Sequence, residues 1–180
     1  HEGTMKNNCG MTLIELLIVM GIIAILAAIA APNMSEFVRK NRIQNQTRRI
    51  YSDLSNMRTM AMNTNRMHFM QFGLANNAYQ VLEDTNGNED RDDPPADTQR
   101  LARTGTEQGN EPVKTLPAGL VPAFDSRGYA TQTGTICILR RDGKPATGNT
   151  TNCVVVYPTR ILMGKIRKDG DCSKQDDCNQ

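Results

Sequence analysis

Residues 16–31 contain no polar side chain, and Leu13 and Ile14 extend the apolar run upstream past a single acid, Glu15. About 20 apolar residues span a bilayer core as a helix, so this run is just long enough to do so. A helix of that kind has no polar face and must be covered by lipid or by other apolar helices. Mean hydropathy over the whole sequence is nevertheless only -0.50. The apolar content is therefore concentrated rather than spread.

A cleaved secretory signal is the competing reading. Lys6 supplies a basic start and AAIAAP resembles a cleavage site, both of which a signal peptide requires. The run is longer than a signal core, however, and Glu15 lies inside it. A carboxylate within a membrane segment is costly and points to a partner or a function. One such partner is a newly exposed α-amine. A cut after Gly10 would place the positive N-terminus of Met11 one helical turn from Glu15, where a neighbouring copy's amine could neutralise the acid.

Gly10-Met11-Thr12-Leu13-Ile14-Glu15, followed by LLIVMGIIAILAAIAAP, resembles the prepilin motif of type IV pilins and type II secretion pseudopilins. The resemblance implies that prepilin peptidase removes a leader ending at Gly10, that Met11 becomes the methylated N-terminus, and that Glu15 guides subunit assembly. Family members usually carry Phe where this chain has Met11, while Pro32 matches their helix-kinking proline. The implied location is a single pass through the bacterial inner membrane with the C-terminal domain periplasmic, then a pilus or pseudopilus. The implied partners are other pilins or pseudopilins through the N-terminal helix, the peptidase and the inner-membrane assembly platform. Residues 1–4 lie upstream of Met5, where a leader of ordinary length would start. A lipoprotein reading of Cys9 fails, because the apolar run follows that residue instead of preceding it. Charge counting opposes export: Lys6 alone precedes the run, whereas Arg39, Lys40, Arg42, Arg48 and Arg49 follow it, and basic residues favour the cytoplasmic side. The motif outweighs that count.

Beyond the run, Ile50, Leu54, Met57 and Ala61 fall on one helical stripe, with Phe37, Val38 and Ile43 further up. After Asn65 the period changes. Residues 67–74 and 78–84 read as a hairpin around ANN, and 134–141, 152–158 and 160–167 read as three more strands. Residues 84–122 are polar and rich in Asp, Asn, Gly and Pro, hence mostly loop. The expected fold is α+β, one long helix leaning on a small, mainly antiparallel sheet, as in pilins. Its expected divisions are a leader at 1–10, an apolar half-helix at 11–32, an amphipathic half-helix at 33–66, and a β-rich domain with a cysteine tail at 67–180. Phe124 and Gly128 in an F-x-x-x-G turn, the strand after them, and a last strand with Gly164-Lys165-Ile166-Arg167 resemble the FimT/GspH group of minor pilins and pseudopilins.

Four of the five cysteines, Cys137, Cys153, Cys172 and Cys178, lie in the last quarter of the chain and allow three disulfide pairings. A zinc site competes, but there is no CxxC and neither His1 nor His68 is near in sequence. An exported domain favours disulfides. Cys137–Cys153 and Cys172–Cys178 are the expected pairs, since each closes a local unit.

Asp84, Asn86, Asn88, Asp90 and Asp92 present oxygens at alternate positions, as a calcium loop does. Glu89 stands where a Gly belongs and Pro95 where a bidentate Glu belongs, so a plain solvated hairpin loop is the stronger reading. Calcium is the one cofactor that the sequence suggests at all. Near the C-terminus, Arg160, Gly164, Lys165, Arg167 and Lys168 make a basic strand. FimT-like pilins contact DNA with a Gly-Arg-x-Arg element at this place, so the resemblance implies double-stranded DNA as a partner. A solvated edge strand protected by its charges is the alternative. No catalytic constellation emerges, His68 reads as structural, and the chain is not expected to be an enzyme. The functions left open are a minor pilin assembling into or priming a type IV pilus, a type II secretion minor pseudopilin, a pilus-tip DNA receptor, and a signal-anchored periplasmic protein.

Overall fold

Thr12 starts the helix α1 (Leu13–Thr64, 52 residues). Its Oγ1 accepts the Glu15 amide at 3.3 Å and its carbonyl accepts the Leu16 amide at 3.2 Å. Thr-x-x-Glu is the spacing of a capping box, and an acid in the first turn suits the helix dipole. At the other end Asn65 takes a left-handed conformation, φ 54°, which stops the helix. The computed structural model describes residues 11–74, 78–90, 97–103, 111–146, 148–167, 172 and 177–179, without the side chains of 30–33, 102, 103 and 179. The leader, with Lys6, Cys9 and Gly10, lies outside them, as do Asp92, Pro95 and Lys168.

The chain divides into two compact units, His1–Arg39 and Lys40–Gln180. In the first, every side chain from 13 to 29 is exposed, and the apolar run covers the helix on all sides. Among the described residues no single helix is long and apolar enough to cross a membrane. The segments Leu13–Ile29 and Met34–Thr64 meet the test of length and composition only when taken together.

In the second unit the helix buries Ile43, Ile50, Leu54, Met57 and Ala61, a stripe at three-and-four spacing. Phe37 and Val38, expected on the same stripe, are exposed because they precede the packed unit. Full burial of each large aliphatic side chain contributes about 1.5–3 kcal/mol. The polar ties are smaller, about 1 kcal/mol each. They include Tyr79 Oη donating to Asp53 Oδ2 at 2.6 Å and the Gln46 amide clasping the Glu111 backbone, with bonds of 3.0 and 2.8 Å. The stripe holds the helix and the polar ties orient it.

Two antiparallel sheets meet this helix, where one was expected. The first has the order β3-β2-β1-β5, with β1 (His68–Leu74), β2 (Ala78–Glu83), β3 (Thr98–Arg103) and β5 (Ala123–Phe124). The second has the order β4-β6-β7-β8-β9, with β4 (Val113–Leu116), β6 (Gly134–Ile138), β7 (Cys153–Val156), β8 (Ile161–Ile166) and β9 (Cys178–Asn179). β3 and β4 lie in the stretch expected to be loop. Each pairs on one side only, to β2 and β6 respectively, and edge strands of this kind need little apolar alternation.

Alternate residues of β6 and β7 feed two clusters. Ile136, Ile138, Val154 and Val156 pack with the helix stripe, Met70, Tyr79 and Phe124. Cys137, Leu139, Cys153 and Val155 pack on the other side with Ile166, Cys172 and Cys178. The second cluster is closed by Cys137–Cys172 and Cys153–Cys178. All four late cysteines form disulfides, but the expected pairing is wrong. Cys137 and Cys153 are direct partners across β6 and β7, strands already joined by their ladder. Each thiol instead anchors the tail over that face. The sequence separations are 35 and 25 residues, and loops of that size correspond to about 3–4 kcal/mol each in the chain-entropy account.

The F-x-x-x-G turn has a packing reason. Phe124 is buried in the main core, and Gly128, at φ +80°, lies so close to the helix that an added Cβ would stand 2.8 Å from Met62 Sδ. We expect Gly128→Ala to lower stability by about 1–3 kcal/mol, from the left-handed backbone and the displaced Met62 together. A urea midpoint equal to that of the wild type would show that the turn yields without cost.

Candidate assembly helix and basic strand

Met11 and Glu15 are both exposed. Glu15 sits in the first turn of α1, where its amide is satisfied by Thr12, and its side chain stands among the exposed apolar groups Leu13, Ile14, Leu16 and Leu17. Thr12 was not singled out from the sequence, although the T-x-x-E spacing signals it.

The basic residues near the C-terminus do not form one cluster. Lys165 and Arg167 are exposed at alternate positions, while Gly164 and Ile166 between and beside them are buried. The expected one-sided presentation is therefore present. Lys165 Nζ donates to Asn149 Oδ1 at 3.2 Å. The neighbouring residue of that turn, Gly148, has Lys40 Nζ of the helix 4.0 Å from where a Cβ would be. The structure thus adds Lys40, which the sequence could not associate with this strand. Arg160 stands at the opposite end of β8, about 16 Å away at the rise of a strand, with its guanidinium 4.9 Å from the centre of the Tyr157 ring. β8 is no free edge over its last residues, since β9 pairs with Lys165 and Ile166.

Side-chain oxygens of Asp84, Asn86 and Asn88 in the acidic loop accept from its own backbone. Asp84 accepts from the Gly87 amide at 2.6 Å and the Glu89 amide at 3.0 Å. Asn86 accepts from Asn88 at 3.0 Å, and Asn88 from Asp90 at 2.9 Å. These are nested Asx turns. Among the described residues no group of three or more His, Cys, Asp or Glu side chains could hold a metal ion.

Comparison with known proteins agrees with this geometry. Residues 5–31 match the prokaryotic N-terminal methylation motif. The fold is similar to that of the type IV minor pilin FimU of Pseudomonas aeruginosa, with a TM-score of 0.52 and 13% identity over 71% of this chain and 91% of that one. No curated protein matches the sequence. The likeness to FimU is one of fold, a long helix on antiparallel sheets. The motif match concerns the N-terminal segment and the structural match concerns the fold, and each agrees with the long helix on antiparallel sheets described above.

One buried polar group stands apart from these surfaces. His68 opens β1 and is fully buried. Its Nδ1 lies 3.1 Å from the Arg66 carbonyl, which favours the tautomer with the proton on Nδ1. Nε2 then has no hydrogen bond among the described residues, although Glu83 Oε2 is 3.8 Å away. Glu83 is already held by Arg100, and by Arg66 at 3.8 Å. Burial lowers the His68 pKa, and the pull of the Arg66 carbonyl and Glu83 in the other direction does not overcome it. A ring whose folded pKa is depressed stabilises the fold fully above its unfolded value near 6.5 and progressively less as pH falls towards the folded value. Stability measured by urea denaturation should therefore decline as pH falls below about 6.5. In His68→Gln that part of the slope should disappear, whatever the absolute loss of stability. An unchanged slope would assign the decline to other groups.

Proposed function

We propose that the chain is a minor pilin subunit that assembles into or primes a type IV pilus after prepilin peptidase cuts behind Gly10 and Met11 is methylated. The observation that carries the reading is a helix exposed and apolar on every side from 13 to 29, with one carboxylate in its first turn. A surface of that kind is stable only within lipid or against like helices. It therefore serves first as an inner-membrane anchor and then as a filament core, where Glu15 meets the α-amine of a neighbouring subunit. The short pseudopilus of a type II secretion system is the alternative destination, and there Glu15 would have the same role. The Gly128 turn packed on the helix supports placement in the FimT/GspH group. Glu15→Ala should leave cleavage and membrane insertion intact while lowering the amount of subunit in sheared filaments by about tenfold, the effect of losing roughly 1.4 kcal/mol. Incorporation at the wild-type level would remove this role from Glu15.

A second reading has its own observation. Lys165 near the end of β8 and Arg167 just past it are both exposed, on either side of the buried Ile166, with Lys40 beside the turn that Lys165 contacts. We propose that this face contacts the phosphates of double-stranded DNA, without reading base edges. Lys in place of the first Arg of the family element keeps the charge and loses the bidentate fork. The double variant Lys165→Ala with Arg167→Ala should bind labelled duplex more weakly, and the slope of log K against log salt should become shallower by about 1.8, or 0.9 for each lost phosphate contact. Equal affinity of both proteins at low salt would dismiss the contact.

A further inference from the structure

Two loops distant in sequence bring together arginine and tyrosine side chains that neither the filament reading nor the duplex reading uses. The turn at 125–130 is tied to the turn between β7 and β8 by the Ala130 amide, which donates to the Pro158 carbonyl at 2.9 Å. On the first turn the Arg127 guanidinium lies 5.6 Å from the centre of the Tyr129 ring. On the second, Arg160 lies 4.9 Å from the Tyr157 ring. Arg58 of the helix joins the two, donating to the Thr159 carbonyl at 2.8 Å and lying against Gly128, with Nε 3.2 Å from where a Cβ would be.

Two cation–π pairs are an ordinary number for a chain of this length. Their meeting at one corner is what matters. Arg127 donates to Asp125 with bonds of 3.1 and 3.0 Å, and Asp84, Glu89 and Arg66 line the hollow beside Asp125. Tyr129 is 48% exposed, so its ring is available as a surface. Tyr157 is half-buried and backs the exposed plane of Arg160.

We propose that this corner binds single-stranded nucleic acid, with Arg58, Arg127 and Arg160 attracting the phosphates while unpaired bases stack on Tyr129 and on the Arg160 plane. A duplex keeps its base faces inside and has no use for the rings. An acidic peptide would use the guanidinium groups alone. Stacking is tolerant of sequence, since every base has a face, so binding is general rather than sequence-specific. This inference does not rest on the duplex contact at Lys165 and Arg167, which lies at the other end of β8.

The experiment is fluorescence anisotropy with the full chain in detergent micelles and a labelled oligothymidine of about a dozen nucleotides, a length within the range a single stacking surface covers. Tyr129→Ala, at an exposed position, should weaken binding by about five- to a hundredfold, the effect of losing one base stack. Tyr129→Phe keeps the ring and should bind as the wild type does. Arg160→Ala should weaken binding as well, whereas Lys114→Ala, exposed on β4, should leave it within about twofold. Thermal melts of each variant show that it is folded. Oligothymidine binding that survives Tyr129→Ala, or that falls as far with Lys114→Ala, would overturn the proposal. So would polyglutamate competing as well as unlabelled oligothymidine.

Discussion

The second unit depends on the contact between one stripe of a helix and the inner faces of two sheets. Ile43, Ile50, Leu54 and Met57 alone correspond to about 6–12 kcal/mol of burial, comparable to the whole net stability of a small domain. Because the stripe touches Met70 and Tyr79 from one sheet and Ile136, Ile138, Val154 and Val156 from the other, it is also what makes two separate sheets a single core. The close approach at Gly128 and the clasp of Gln46 on Glu111 follow from that docking. Neither could set it.

The second sheet has a further requirement. β6 and β7 are buried on both faces, which an antiparallel sheet with one solvated face would not show. The helix covers one side, and the cysteine cluster covers the other. A chain without Trp and with few aromatic residues has modest means of closing a second core, and the two disulfides supply the closure covalently.

What the sequence made legible was whatever repeats along the chain. The helix stripe and the strands β1, β2, β6, β7 and β8 all follow from local periodicity, and the exposed apolar half of the helix follows from a long apolar run with its one acid. The expectations that failed needed a partner from elsewhere. β3, with the sequence TQRLAR, shows no alternation and exists because β2 offers it a ladder. The cysteine pairing was inferred from closeness in sequence, but strand neighbours in a ladder had no need of a bridge and the tail did. Phe37 and Val38 fit the helical pattern and still lie outside the packed unit. At the candidate sites, Lys165 and Arg167 were readable from alternation, whereas Lys40, Arg58 and the two Arg–Tyr pairs come together only through turns that tertiary structure places side by side.

The edges of the sheets carry a consequence for a chain read as a filament subunit. Among the described residues, three of the four edge strands are short, β4 with four residues and β5 and β9 with two each, while β3 has six. Edges so short give another copy little backbone to pair with. Sideways joining of sheets, the route by which β-rich domains clump when crowded, is thereby discouraged. In the filament proposed above, the apolar helix rather than a sheet edge would then be the surface on which copies meet.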